Sequence, residues 1–142
     1  KTIDVQPTSQ MDFEEIYYQK EPYENKLPEI KGYQSTQFGK LYGTRSGDKG
    51  GCANLGVWAK TKESYSYLYD FLTVEKLKEL LPDLKGFEID RHELPNILSL
   101  NFYVHDILQD GVSSSTRLDG QAKSLGEYLR AKEVDIPDFL IN

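Results

Sequence analysis

Apolar and polar positions alternate from Gly39 to Arg45 and again, more densely apolar, across Cys52–Lys60 (CANLGVWAK). Each stretch predicts a strand, the second the more buried. Ser46-Gly47-Asp48-Lys49-Gly50-Gly51 between them reads as a turn. From Glu63 to Leu81 the period changes, with Leu68, Phe71, Leu72, Leu77, Leu80 and Leu81 at helical spacing. Thr73 is placed to cap a second helix within this stretch, and Pro82 follows its end. Gly86–Glu93 predicts another strand. Asn96–Asp110 supports two readings. Leu98, Leu100, Phe102 and Val104 alternate as in a strand, yet Ile97, Leu100, Val104, Ile107 and Leu108 share one helical face, with Asn96 as cap and Gly111 at the end. The helix is the preferred reading. Ser113–Leu118 predicts a short strand, and Asp119–Val134 a helix with Ala122, Leu125, Tyr128, Leu129 and Ala131 near one face.

Residues 1–38 read differently. Pro7, Pro22 and Pro28 interrupt helices, and only Met11–Tyr18 offers a short one. Residues 1–35 hold four Lys and seven acids, so the stretch is acidic. Tyr17, Tyr18, Tyr23 and Tyr33 favour a strap laid on the domain over a solvated linker. The expected organisation is therefore an acidic linker or strap over 1–38 and a domain over 39–142. Strands and helices mixed over about 100 residues point to an α/β (α+β) sandwich, one mixed or antiparallel sheet with helices packed on it.

Composition narrows the function classes. The 142 residues carry 17 Lys plus Arg against 23 Asp plus Glu, a net charge of −6, which disfavours nucleic acid as a partner. No apolar run approaches the ~18 residues of a membrane span. One cysteine, Cys52, and two histidines, His92 and His105, cannot assemble a disulfide, a Cys/His zinc site or a four-thiolate iron–sulfur cluster. No metal or other cofactor is implied. The first residue is Lys1 and not Met, which reads as a processed chain or a piece of a longer one. A free thiol and the lack of a signal-peptide pattern suit the cytoplasm, with an organelle matrix left open.

Two clusters could carry chemistry. In Gly43-Thr44-Arg45-Ser46-Gly47-Asp48-Lys49-Gly50-Gly51, glycines allow turn amides to converge on an anion, Arg45 can grip it as a fork, and Lys49 adds a point charge. Neither GxxxxGK[ST] nor GxGxxG is present. The second cluster is Ser113-Ser114-Ser115-Thr116-Arg117-Leu118-Asp119 with Lys123, an anion site if a helix begins there. Plainer readings stand beside both: a solvated hairpin, an N-cap at Asp119, and Arg117 paired with Asp119 or Asp48. Ser46, Ser99, His92, His105 and Asp48 form no recognisable hydrolase set without a GxSxG elbow. Cys52 reads as a small buried hydrophobe.

Three motifs together resemble one family. They are Arg45-Ser46-Gly47-Asp48-Lys49-Gly50 with Ala53-Asn54-Leu55-Gly56-Val57, then Glu93-Leu94-Pro95-Asn96 with Leu100-Asn101-Phe102, then Arg117-Leu118-Asp119-Gly120-Gln121-Ala122-Lys123-Ser124-Leu125-Gly126. The chain resembles the small C-terminal, ferredoxin-like-fold domain of the acyclic terpene utilisation (AtuA-like) proteins over about residues 39–134. The resemblance implies a ferredoxin-like fold and a large N-terminal domain as partner, in the same chain or as a separate subunit. It also implies a setting in the breakdown of branched terpenoid acids through acyl-CoA thioesters.

Three functions follow for test. The first is a domain that binds an anionic ligand, an acyl-CoA or a carboxylate. Arg45, Lys49 and Arg117 would hold the anion, the turn amides would cradle it, and Asn54, Asn96 and Asn101 would orient it, with Ser46, Gly47, Asp48, Asp119 and Lys123 completing the candidate site. The second is a structural or interaction module whose motif residues brace the fold. The third, a self-sufficient enzyme, lacks a nucleophile–base pair. A homo-oligomer fits any of them. Cations converging on open space would favour binding; the same cations paired with Asp48 and Asp119 would favour bracing.

Overall fold

Ala53, Leu55 and Val57 in one strand and Leu100, Phe102 and Val104 in another are fully buried, while the residues between them are not. That two-residue period fixes which side of a sheet carries the core. The computed structural model describes residues 23–109 and 122–141. Among these, strands β1 (Tyr33–Gln37), β2 (Gly43–Lys49), β3 (Cys52–Trp58), β4 (Ile89–Leu94), β5 (Ser99–Val104) and β6 (Glu133–Pro137) alternate with helices α1 (Phe38–Leu41), α2 (Lys62–Phe71), α3 (Val74–Leu80) and α4 (Ser124–Ala131). The main sheet is antiparallel with order β2-β3-β5-β4, and β1 pairs with β6 in a separate two-stranded sheet. The expected Met11–Tyr18 helix and Ser113–Leu118 strand, and the positions Arg117 and Asp119, lie outside the described residues.

Helix α2 begins within a residue of the expected Glu63, and α3 begins at the expected Thr73 cap. The Thr61 hydroxyl accepts from the Ser64 amide and the Thr73 hydroxyl from the Lys76 amide, each at 3.1 Å, so two caps start α2 and α3. Leu68, Leu72 and Leu77 are fully buried in the core beneath the main sheet.

Several expectations are corrected. Gly39–Arg45 is not one strand: Phe38–Leu41 forms a helical turn before β2 begins at Gly43. Phe38 and Tyr42 are both buried with ring centroids 4.8 Å apart, and residues four apart meet on one side only if the chain between them winds. The stretch expected as a helix from Asn96 is, as far as Gln109, not one. A single 3-10 turn at Pro95–Ile97 leads through left-handed Leu98 (φ 52°) into β5, because the segment lies between β3 and β4 and both ladders claim its amides. The expected Asp119–Val134 helix, where described, is confined to Ser124–Ala131, and Val134 belongs to β6, which the sequence reading did not anticipate. The expectation of one sheet therefore gives way to two. β1 falls inside the stretch expected as linker or strap, and its neighbour Phe38 donates its amide to the Lys132 carbonyl at 2.8 Å. Ahead of it, the Tyr23 ring packs on Tyr65 and Tyr69, with centroids 5.1 and 5.3 Å away. Its hydroxyl lies 2.9 Å from that of Ser66.

Candidate functional site

The turn expected over Ser46–Gly51 shrinks to Gly50-Gly51. Lys49 pairs directly with Cys52, and Gly50 at φ 62° supplies the left-handed first position of a two-residue hairpin. Arg45 to Lys49 thus belong to β2, an edge strand, and any anion contact there rests on side chains and not on a nest of turn amides.

Helix α4 lies against that edge. The Thr44 hydroxyl donates to the Gly126 carbonyl at 2.8 Å, and the Ser46 hydroxyl donates to the Lys123 carbonyl and accepts from the Gly126 amide, both at 2.9 Å. Gly126 makes the approach workable: a Cβ there would sit 3.1 Å from Thr44 Oγ1 and 3.4 Å from the Ser46 amide. A cavity of about 690 Å3 opens along the β2 edge. It is lined by Arg45, Gly47, Asp48, Lys49 and Asn54 together with Lys123 and Glu127 of the α4 side.

Arg45, Asp48 and Lys49 are exposed, and among the described residues none of the three takes an ion pair. The Asn54 side-chain amide reaches Asn101 Oδ1 at 3.4 Å, so Asn101 stands beside the cavity without lining it. Asn96 is not brought in. It sits exposed in the turn between β4 and β5, at the sheet end where Trp58 pairs with Ser99, opposite the Gly50-Gly51 turn. Thr44, Gly126 and Glu127 line the cavity and were not expected to; only the packing of α4 on β2 reveals them.

The remaining titratable groups have structural surroundings. His105 Nε2 lies 2.8 Å from Asp90 Oδ2, and this bond lifts the imidazole above its ordinary 6.5. Burial pushes the Tyr42 hydroxyl up to about 12, and it donates to the Ser64 carbonyl. Cys52 is half-buried on the outer side of the sheet, where its neighbour in the row is Lys49, so it is not the core hydrophobe expected. Among the described residues no group of His, Cys, Asp and Glu is arranged to hold a metal ion, and no helix is long and apolar enough to cross a membrane.

The antiparallel sheet, the helices on one of its faces and the β2 motif agree with a comparison against family models, which matches residues 36–135 to the AtuA ferredoxin-like domain. The chain belongs to that family. No curated protein and no solved structure matches it. In this AtuA ferredoxin-like domain the RSGDKG motif is a strand and hairpin that hold α4 with hydroxyls and leave cations at the rim. Membership points to the context of a larger protein.

Proposed function

We propose that this domain binds a small anionic ligand in the cavity between β2 and α4. The ligand class is a carboxylate or the phosphate-bearing end of an acyl-CoA, used in breakdown of branched terpenoid acids. One observation carries the reading: Arg45 and Lys49 line the same cavity, both exposed, with Asp48 alongside yet paired to neither. A guanidinium and an ammonium held at a cavity rim suit an anion as fork and point charge. Lys123 adds charge from the α4 side, Asn54 offers an amide, and Asn101 holds that amide in place. A large N-terminal AtuA-like domain, in the same chain or separate, would supply the remaining chemistry. The reading assigns the protein to a reducing compartment such as the cytoplasm.

The test is the Arg45→Ala/Lys49→Ala double variant. Each charge-assisted contact is worth ~1.5–3 kcal/mol where water is excluded, so affinity for CoA or a short-chain acyl-CoA should fall at least tenfold by calorimetric titration. Exposed side chains of this kind contribute within about half a kcal/mol to folding, so the melting temperature should hardly move. Unchanged binding, or no binding by the parent chain, overturns the reading.

A second reading, a structural module, is favoured by the hydroxyls of Thr44 and Ser46, which are committed to α4. It predicts that variants at these two positions lose stability whether or not a ligand is present.

A further inference from the structure

The outer face of the main sheet, turned away from the core, has an ordered charge pattern. Directly paired residues point to the same side, so the register sets out this face in rows. At the hairpin end, Lys49 and Cys52 are followed across the sheet by His105, whose amide donates to the Glu88 carbonyl. The next row runs Gly47, Asn54, Tyr103, Asp90, and the third Arg45, Gly56, Asn101, His92. The last runs Gly43, Trp58, Ser99, Leu94. The β2 margin therefore carries Lys49 and Arg45, and the β4 margin carries Glu88 and Asp90, whose charges both act on His105. Trp58 and Leu94 are exposed at 42% and 41%, and the Trp58 indole lies over Gly43.

We propose that a second copy of this chain packs on this face, sheet against sheet. A two-fold axis parallel to the strands places β2 of one copy over β4 of the other and matches each row with itself. Lys49 then faces Glu88 of the second copy, and Arg45, opposite His92 of the second copy in its own row, extends one row along the strand toward Asp90 of the second copy. Leu94 of the second copy lands on the Trp58 indole that covers Gly43. Symmetry doubles every one of these contacts, as an isologous interface requires. Charge complementarity selects the occupant: a basic margin and an acidic margin on opposite edges of one face fit the same face turned over. Four strands ~4.8 Å apart and six residues long give a face of roughly 19 by 20 Å, about 400 Å2 per copy. The total of about 800 Å2 falls below the roughly 1,200–2,000 Å2 of stable interfaces, so the dimer is weak and concentration-dependent. Arg45 and Lys49 also rim the cavity, so an anion held there competes with the second copy for the same cations, and the two equilibria are linked.

Sedimentation velocity over a concentration series tests this on the full chain. The parent chain should pass from monomer to dimer as concentration rises. The Arg45→Glu/Lys49→Glu variant and the Glu88→Lys/Asp90→Lys variant should each associate at least tenfold more weakly. An equimolar mixture of the two variants should recover a dimer, because opposite reversals meet across the axis. Circular dichroism melts confirm that both variants are folded; if one is not, Trp58→Ser with Leu94→Ser replaces it and should give a monomer. A parent chain that stays monomeric, reversal variants that dimerise like the parent, or a mixture that recovers nothing would overturn the proposal. Run without CoA or another anionic ligand, the experiment reads association alone, and CoA titration decides the anion-binding reading separately.

Discussion

The Thr44 hydroxyl donates to the carbonyl of Gly126 at 2.8 Å, across 82 positions of sequence, and binds an edge strand to the helix that covers it. Ser46, two residues along the same face of β2, accepts from the Gly126 amide and donates to the Lys123 carbonyl. The cavity between β2 and α4 owes its shape to these contacts, since they set how close the helix lies.

Substitutions here should act on stability. Ser46→Ala takes away the acceptor of the Gly126 amide, which lies in the first turn of α4, and should cost about 1–3 kcal/mol in urea unfolding. Gly126→Val adds a branched side chain where even a Cβ is tight and should cost about 1–3 kcal/mol, despite leaving the helix more rigid. A Ser46→Ala protein as stable as the parent would show that these hydroxyls do not brace α4.

Truncation separates the strap from the fold. A chain starting at Gly32 keeps the β1–β6 ladder and the bond from the Asp138 amide to the Gly32 carbonyl, and loses the packing of Tyr23 and Leu27. A chain starting at Phe38 also loses β1, which uncovers the β6 ladder beside Val134 and Ile136, both buried in the full fold. Each apolar side chain returned to water costs about 1.5–3 kcal/mol. The Phe38 start should therefore melt well below the Gly32 start, and equal melting temperatures would show that β1 contributes nothing.

His105 should make stability fall with rising pH. Its hydrogen bond to Asp90, helped by the charges of Glu88 and Asp106, raises its folded-state pKa above the ordinary 6.5. The contribution is complete below pH 6.5, where both folded and unfolded chains are protonated, and disappears as pH climbs through the raised folded value. Nuclear magnetic resonance titration should place the His105 midpoint above 6.5, and Asp90→Asn should bring it back down. A midpoint unaffected by Asp90→Asn would rule out this pairing.

Local signals in the sequence were enough for elements whose cause lies within a few residues. Thr73 was readable as a cap because its hydroxyl needs only the amide three positions on, and Ala53, Leu55 and Val57 were readable as one face because alternation is a property of the strand itself. The motif around Arg45 also marked the family, and its residues do line one cavity. Tertiary structure decided the rest. The stretch from Leu98 to Leu108 satisfies two periods at once, and only its place between β3 and β4, where two strands offer hydrogen-bond partners, makes Ser99–Val104 a strand. Phe38 and Glu133–Pro137 carry too few residues to announce an element, and they acquire one by packing against distant chain, Phe38 on Tyr42 and Lys132, and β6 on β1. The cavity depends on contacts such as Ser46 with Gly126, 80 residues apart. No local pattern encodes such a contact, because its stability comes from closing a long loop whose ends are brought together by the core between them.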